Sequence, residues 1–205
     1  MKNVSRGIWL GVALVALSSL SACGGGFSAS SFGFDVALSP SPLGYEVTSI
    51  DEVTGVATIT IPSHIMTFNS TSGSVGATIE GYTITYEDAS GNNLFPGDSE
   101  QRSRGTLNVR VPPGVQCPPF NDVPIVENCT VNTPGAVFAR GEPVSSAPTF
   151  LLAGDIAQQH LELFQIGGAV GSTANITFYG TDDLQRRFTS EPFQFAIAVP
   201  VRQAQ

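Results

Sequence analysis

The chain has 205 residues and carries 17 acids against nine bases, a net charge of −8. That length suits one domain or at most two small ones. So acidic a balance has no electrostatic footprint for phosphate backbones, which argues against nucleic acid as a partner, and it gives no attraction to anionic lipid headgroups. Charged residues are only 13% of the chain, so solubility rests on Ser, Thr, Asn and Gln, while 13 phenylalanines supply apolar surface for a core.

The first segment reads as an export signal. Met1 to Gly7 carries Lys2 and Arg6 and no acid, Ile8 to Leu17 is unbroken apolar sequence, and Ser18 to Ala22 is small and mostly polar. The apolar run is shorter than the roughly 18 residues needed to span a bilayer. It closes on Leu20-Ser21-Ala22-Cys23: an apolar residue, two small residues, then cysteine. An ordinary secretory signal cut near Ala22 is the alternative reading. The four residues resemble the lipobox of bacterial lipoproteins, a resemblance confined to residues 1–23.

That resemblance implies a thioether-linked diacylglycerol on Cys23, cleavage before it, and acylation of the new amino terminus with chains such as palmitate. Each buried CH₂ contributes about 0.8 kcal/mol, so two or three chains make a durable anchor where one is marginal. In Gram-negative lipoproteins an aspartate after the cysteine signals inner-membrane retention. Gly24 stands there instead, which implies the outer membrane, or the outer face of the cell membrane where there is only one. After the cut the chain keeps seven arginines against 17 acids, a net charge of −10, and no lysine.

Residues 23–42 read as a lipidated tether rich in Gly, Ser and Pro, ending in Ser39-Pro40-Ser41-Pro42. Within it Phe34, Val36 and Leu38 alternate, as they would in a first edge strand. Residues 43–202 read as one β domain. Val56 to Ile61 alternates up to Pro62, and His64 to Phe68 continues extended. Thr78 to Glu87 puts Tyr82, Ile84 and Tyr86 on one face, and Asp88 to Asn93 reads as a tight turn. Leu107, Val109 and Val111 share a face up to Pro112-Pro113. Ala174, Ile176 and Phe178 share another, as do Phe193, Phe195, Ile197 and Val199, and these closing strands read as a hairpin. Asp155 to Ile166 is ambiguous, with a short helix near residues 155–162 favoured and Asp155 as a candidate N-cap.

Many short strands between turn signals predict an all-β fold, an antiparallel sandwich. Their order resembles immunoglobulin-like or fibronectin-type-III-like domains over residues 45–200. Asn175 to Asp182 and Phe193 to Val199 look like the last two strands. The Cys-Trp-Cys core of antibody domains is missing, since the only tryptophan is Trp9.

With Cys23 lipidated, Cys117 and Cys129 remain, and an even number in an exported chain reads as a disulfide. Its ring of 13 residues would contribute about 3 kcal/mol in the chain-entropy model. A metal or redox thiol pair is the alternative, but no C-x-x-C spacing occurs and neither His64 nor His160 is close in sequence. G-x-S-x-G, H-E-x-x-H and phosphate-cradle motifs are absent, and both histidines read as surface or half-buried residues. Asp88, Asp98, Asp182 and Asp183 are hard-oxygen candidates for calcium, although Asp, Asn and Gly are also what turns require.

No catalytic residue and no other cofactor is assigned. The expected protein is a non-enzymatic, lipid-anchored envelope component that uses its sandwich as a spacer or protein-contact module. The alternatives are a carbohydrate- or matrix-binding adhesin, which needs exposed tyrosines among Tyr45, Tyr82, Tyr86 and Tyr179, and an envelope hydrolase.

Overall fold

A computed structural model describes residues 32–51, 53–95, 104–117, 129–168 and 170–199. The export signal, Cys23, Asp98 and the first part of the proposed tether, residues 23–31, lie outside these residues. The described chain is predominantly β, with one helix.

Among the described residues thirteen strands and the helix follow in order: β1 (Phe34–Ser39), β2 (Leu43–Gly44), β3 (Glu46–Ile50), β4 (Ala57–Thr60), β5 (Ile65–Ser70), β6 (Ala77–Glu87), β7 (Arg104–Val111), β8 (Val115–Gln116), β9 (Val137–Phe138), β10 (Val144–Ser145), α1 (Gly154–Gln165), β11 (Thr173–Asp182), β12 (Arg187–Thr189) and β13 (Phe193–Ala198). One sheet has the order β1-β5-β10. A larger one has the order β2-β13-β11-β6-β7, with β12 also paired to β11. Two small ladders, β3-β4 and β8-β9, stand apart from both.

The alternation seen in the sequence is what buries the core. Tyr82, Ile84 and Tyr86 of β6 lie beside Phe178, Ile176 and Ala174 of β11 in antiparallel register, and all six are buried. Phe34 and Phe68 of the smaller sheet meet Phe178 of the larger one, with ring centroids 5.8 and 5.2 Å from it. Phe193 of β13 packs on both Phe34 and Phe178. The closing strands are antiparallel, Thr173 opposite Ala196 and Ile176 opposite Phe193.

The alternation of Phe34, Val36 and Leu38 is the expected edge strand, paired along β5. Three expectations change. Pairing is not wholly antiparallel, because β2 runs parallel to β13, Leu43 beside Ile197. The helix extends to Gln165, and its N-cap is Ala153 rather than Asp155, which sits in the first turn where its charge suits the helix dipole. Both histidines are buried, because the segments around them are covered. His64 bridges Thr149 and hydrogen-bonds the Pro40 carbonyl through Nδ1 (2.8 Å), and His160 lies on the apolar face of α1 with Ile156, Ala157 and Leu161.

The register defines two ends. One carries the starts of β1 and β6 and the ends of β5, β7 and β11 (Phe34 opposite Ser70, Ala77 opposite Val111 and Asp182). The other carries Glu87, Thr173 and the end of β13.

Candidate functional site

A cleft of about 900 Å³ opens at the first end. Its walls come from the end of β7, the following prolines Pro112 and Pro113, the disulfide, residues 139–142 before β10, and the turn after β11. Arg110 reaches it because Val109 and Val111, its neighbours on β7, turn inward. Its Nη2 lies 2.7 Å from Asp183 Oδ1. Gly76 makes room for this ion pair: a Cβ there would meet Asp183 Oδ2 at 2.6 Å and Arg110 Nη1 at 3.1 Å. Arg140, also in the lining, pairs with Asp35 at 2.6 Å, tying the loop before β10 to β1. Glu142 and Gln185 complete the polar rim, and Val144 joins the two prolines on the apolar side.

Cys117 and Cys129 both line the cleft and are bonded, with Cα atoms 5.8 Å apart. The structure therefore brings together two features the sequence singled out separately, the cysteine pair and Asp183. It does not bring Asp88 to them. Asp88 follows β6 at the far end, while Asp182 and Asp183 sit at the cleft end.

These aspartates serve their own turns. The Asp88 carboxylate accepts from the Ser90 and Asn92 amides and from Asn92 Nδ2, at 2.8 to 3.0 Å, and these bonds, the Asn92 side chain first, hold it below the ordinary carboxylate range. Asp182 accepts from the amides of Leu184 and Arg186 and from the Arg186 guanidinium. Burial alone would raise its pKa, but the Arg186 amide and guanidinium outweigh that and hold it low. Among the described residues no group of three or more His, Cys, Asp or Glu is placed to hold a metal.

A second constellation links three distant parts of the chain. Tyr45 Oη lies 2.8 Å from His160 Nδ1, and His160 Nε2 lies 2.9 Å from Ser172 Oγ. Burial pushes the tyrosine pKa up and the imidazole pKa down, so both are neutral at pH 7. Hydroxyl, imidazole and phenol in a row is the arrangement a nucleophile and its base require. None of the three is more than 2% exposed. Enclosed this way, the row pins α1 between β2 and β11 instead of meeting a substrate. The neutral imidazole donates from one nitrogen and accepts at the other, so both neighbours are satisfied.

Sequence reasoning missed Arg110, Arg140 and this row. The signal for the arginines was their scarcity, seven in the chain after Cys23. No local pattern marks Tyr45 and His160, which are 115 positions apart. Of the four tyrosines, Tyr45, Tyr82 and Tyr86 are buried and Tyr179 is half-buried.

No protein-family model matches the chain, and no curated protein matches it.

Proposed function

We propose that the chain is a lipid-anchored protein of the cell envelope whose β domain is an immunoglobulin-like module used for spacing and protein contact, without catalysis. The observation that carries the domain reading is the pair of strand orders. In such sandwiches one sheet contains A-B-E and the other C-F-G, extended by C′ in the variable type. β1-β5-β10 fits the first, and β13-β11-β6-β7 fits G-F-C-C′. Strands β5 and β11 are then B and F, where antibody domains carry their inter-sheet disulfide. Here Phe68 and Phe178 fill that gap.

The anchor reading rests on Cys23 and its three preceding residues. Phe34 begins β1 at the cleft end, and Cys23 lies 11 positions before it. Eleven residues span at most about 39 Å when extended. The adhesin alternative called for exposed tyrosines, and the burial of three of the four weighs against it. The hydrolase alternative has its best candidate in the Ser172 row, which solvent does not reach.

Intact mass of the protein extracted from the producing cell's membranes is the test. The expected mass is that of a chain starting at Cys23 plus a diacylglycerol and an acyl group. Cys23→Ser should abolish the lipid and leave the protein released or retained as precursor. A processed mutant that still partitions with detergent would refute the anchor.

A further inference from the structure

The end of the molecule away from the cleft carries apolar surface that the fold does not use. Ile65 opposes Ser39 there, and Phe150 follows the His64–Thr149 bridge. Gly171 lies so near the turn after β6 that a Cβ on it would meet that of Ala89 at 3.2 Å. The β3-β4 hairpin pairs with neither large sheet and is rooted at the same end, because Gly44 of β2 lies beside Ala198 at the close of β13. Ile50, Val53, Val56, Phe150, Ile166 and Val170 are all exposed in these segments, Val53 at 94% and Ile166 at 80%. With Ile65 they make seven of the ten large apolar side chains exposed among the described residues, against Val137, Phe138 and Leu184 elsewhere. Scattered apolar residues need no explanation, but a gathering at one end marks a contact site.

This surface is rigidly built. Asp51 Oδ1 accepts from the amides of Val53 (2.8 Å) and Thr54 (2.9 Å), which fixes the hairpin turn. Gly167, at φ +79°, ends α1: its amide donates to the Phe164 carbonyl (3.0 Å) and that of Gly168 to the Leu163 carbonyl (2.8 Å), which holds the corner at Ile166. The buried row of Tyr45, His160 and Ser172 then joins the pieces. Tyr45 immediately precedes β3, His160 belongs to α1, and Ser172 closes the loop that carries Val170. Hairpin, helix and loop form one platform, so a partner has little left to order.

The charge on this platform has one sign. Its described segments hold Glu46, Asp51, Glu87, Asp88, Asp155 and Glu162 and no lysine or arginine. Arg104, opposite Thr83, stands four positions back along β6 from Glu87. The sequence has no lysine or arginine from Gly7 to Gln101 or from Gly141 to Gln185. In the adjoining stretches of sequence Glu52, Asp98 and Glu100 outnumber Arg102 and Arg202, so the sign is not reversed. Anionic lipid is repelled by such a surface. A second copy is a poor counterpart, because Arg110, Arg140 and Arg186 at its cleft end are each paired with an aspartate.

We propose that this end is the contact surface of the module, and that it takes a protein whose face carries apolar side chains ringed by lysine and arginine. The proposal rests on the protein-contact reading above and does not depend on the anchor. The apolar side chains supply the buried area, and the acids speed encounter and reject partners of the wrong sign.

The test places a photoreactive phenylalanine derivative at Val53 or Ile166, and at Val137 as the control, in the full-length chain in its own cells. One protein, identified by mass spectrometry, should be cross-linked from Val53 and Ile166 and not from Val137. Its cross-linked face should be basic, and its purified form should bind the full-length chain in mild detergent with association that slows as salt rises. E162K should slow association at low salt. V53S/I166S alters two exposed side chains without changing charge, and should weaken affinity by about tenfold with the melting temperature unchanged. A protein adduct from Val137 alone would leave the protein-contact reading standing and overturn this surface, and no protein adduct from any position would overturn both. Adducts only to lipid or to a second copy, a partner face that is neutral or acidic, or affinity unchanged by V53S/I166S would each overturn the proposal.

Discussion

Phe68 and Phe178 meet edge to face across the gap between the two sheets, with ring centroids 5.2 Å apart and planes at 87°. Both are fully buried. Phe178 also touches Phe34, Tyr82 and Phe193, so one ring joins β1, β5, β6 and β13. Removing it leaves a void that two sheets cannot close without separating from their other contacts. F178A should cost about 3–5 kcal/mol, and F178L less than about 1.5 kcal/mol, because Leu refills most of the volume. Urea unfolding checks this, with the midpoint falling and the slope unchanged.

The disulfide closes a ring of 13 residues whose two ends stand in the cleft wall. Its contribution in the chain-entropy model is about 3 kcal/mol. The double variant C117S/C129S should lose that much in chemical denaturation. Reductant should lower the parent by a similar amount and leave the variant unchanged. A parent indifferent to reductant would show that the bond does not form in the folded protein.

Burial holds the His160 imidazole below its ordinary value, so on acidification the unfolded chain takes up its proton first. Stability from this source is complete above about pH 6.5, the unfolded value. It declines as the pH falls from there towards the folded value, by at most about 1.4 kcal/mol per pH unit. Asp51, Asp88 and Asp182 have lowered pKa values, so their contributions disappear only below about pH 4. Melting temperature against pH should therefore fall in two stages. H160Q, which keeps a donor and an acceptor, should be less stable at pH 7 and lack the first stage.

The parts of this molecule that could be read from its sequence are those that repeat a local rule. Tyr82, Ile84 and Tyr86 alternate because β6 has one buried face, and Ala174, Ile176 and Phe178 alternate for the same reason on its partner. β2 is only two residues long, too short for any period, so its parallel pairing with β13 was not visible. Asp155 to Ile166 was ambiguous because Leu161 and Leu163 suit a strand as well as a helix. The buried set Ile156, Ala157, His160 and Leu161 shows that the helical spacing won, with His160 as a member of the apolar face. The cleft had no local signature, since its arginines, prolines and cysteines meet only when the end of β7, the segment before β10 and the turn after β11 converge. The hairpin tip was visible only as alternation. That Val53 faces water became apparent once the hairpin was seen to join no other sheet.

Asp182 decides how its loop treats cations. Its side chain is almost fully covered and already accepts from two amides and the Arg186 guanidinium. A calcium ion would have to displace those donors, and the neighbouring Asp183 is engaged by Arg110. Millimolar calcium should therefore leave the melting temperature unchanged. D182A removes the acceptor of the Leu184 and Arg186 amides and of the Arg186 guanidinium, and should cost about 1–2 kcal/mol. D182N keeps an acceptor for the amides but loses the ion pair, and should cost less than D182A. Thermal denaturation of the parent and both variants, with and without calcium, checks the set. A calcium-dependent rise in the parent that D182N abolishes would mean that the loop opens to the ion and that Arg186 is a displaceable substitute for it.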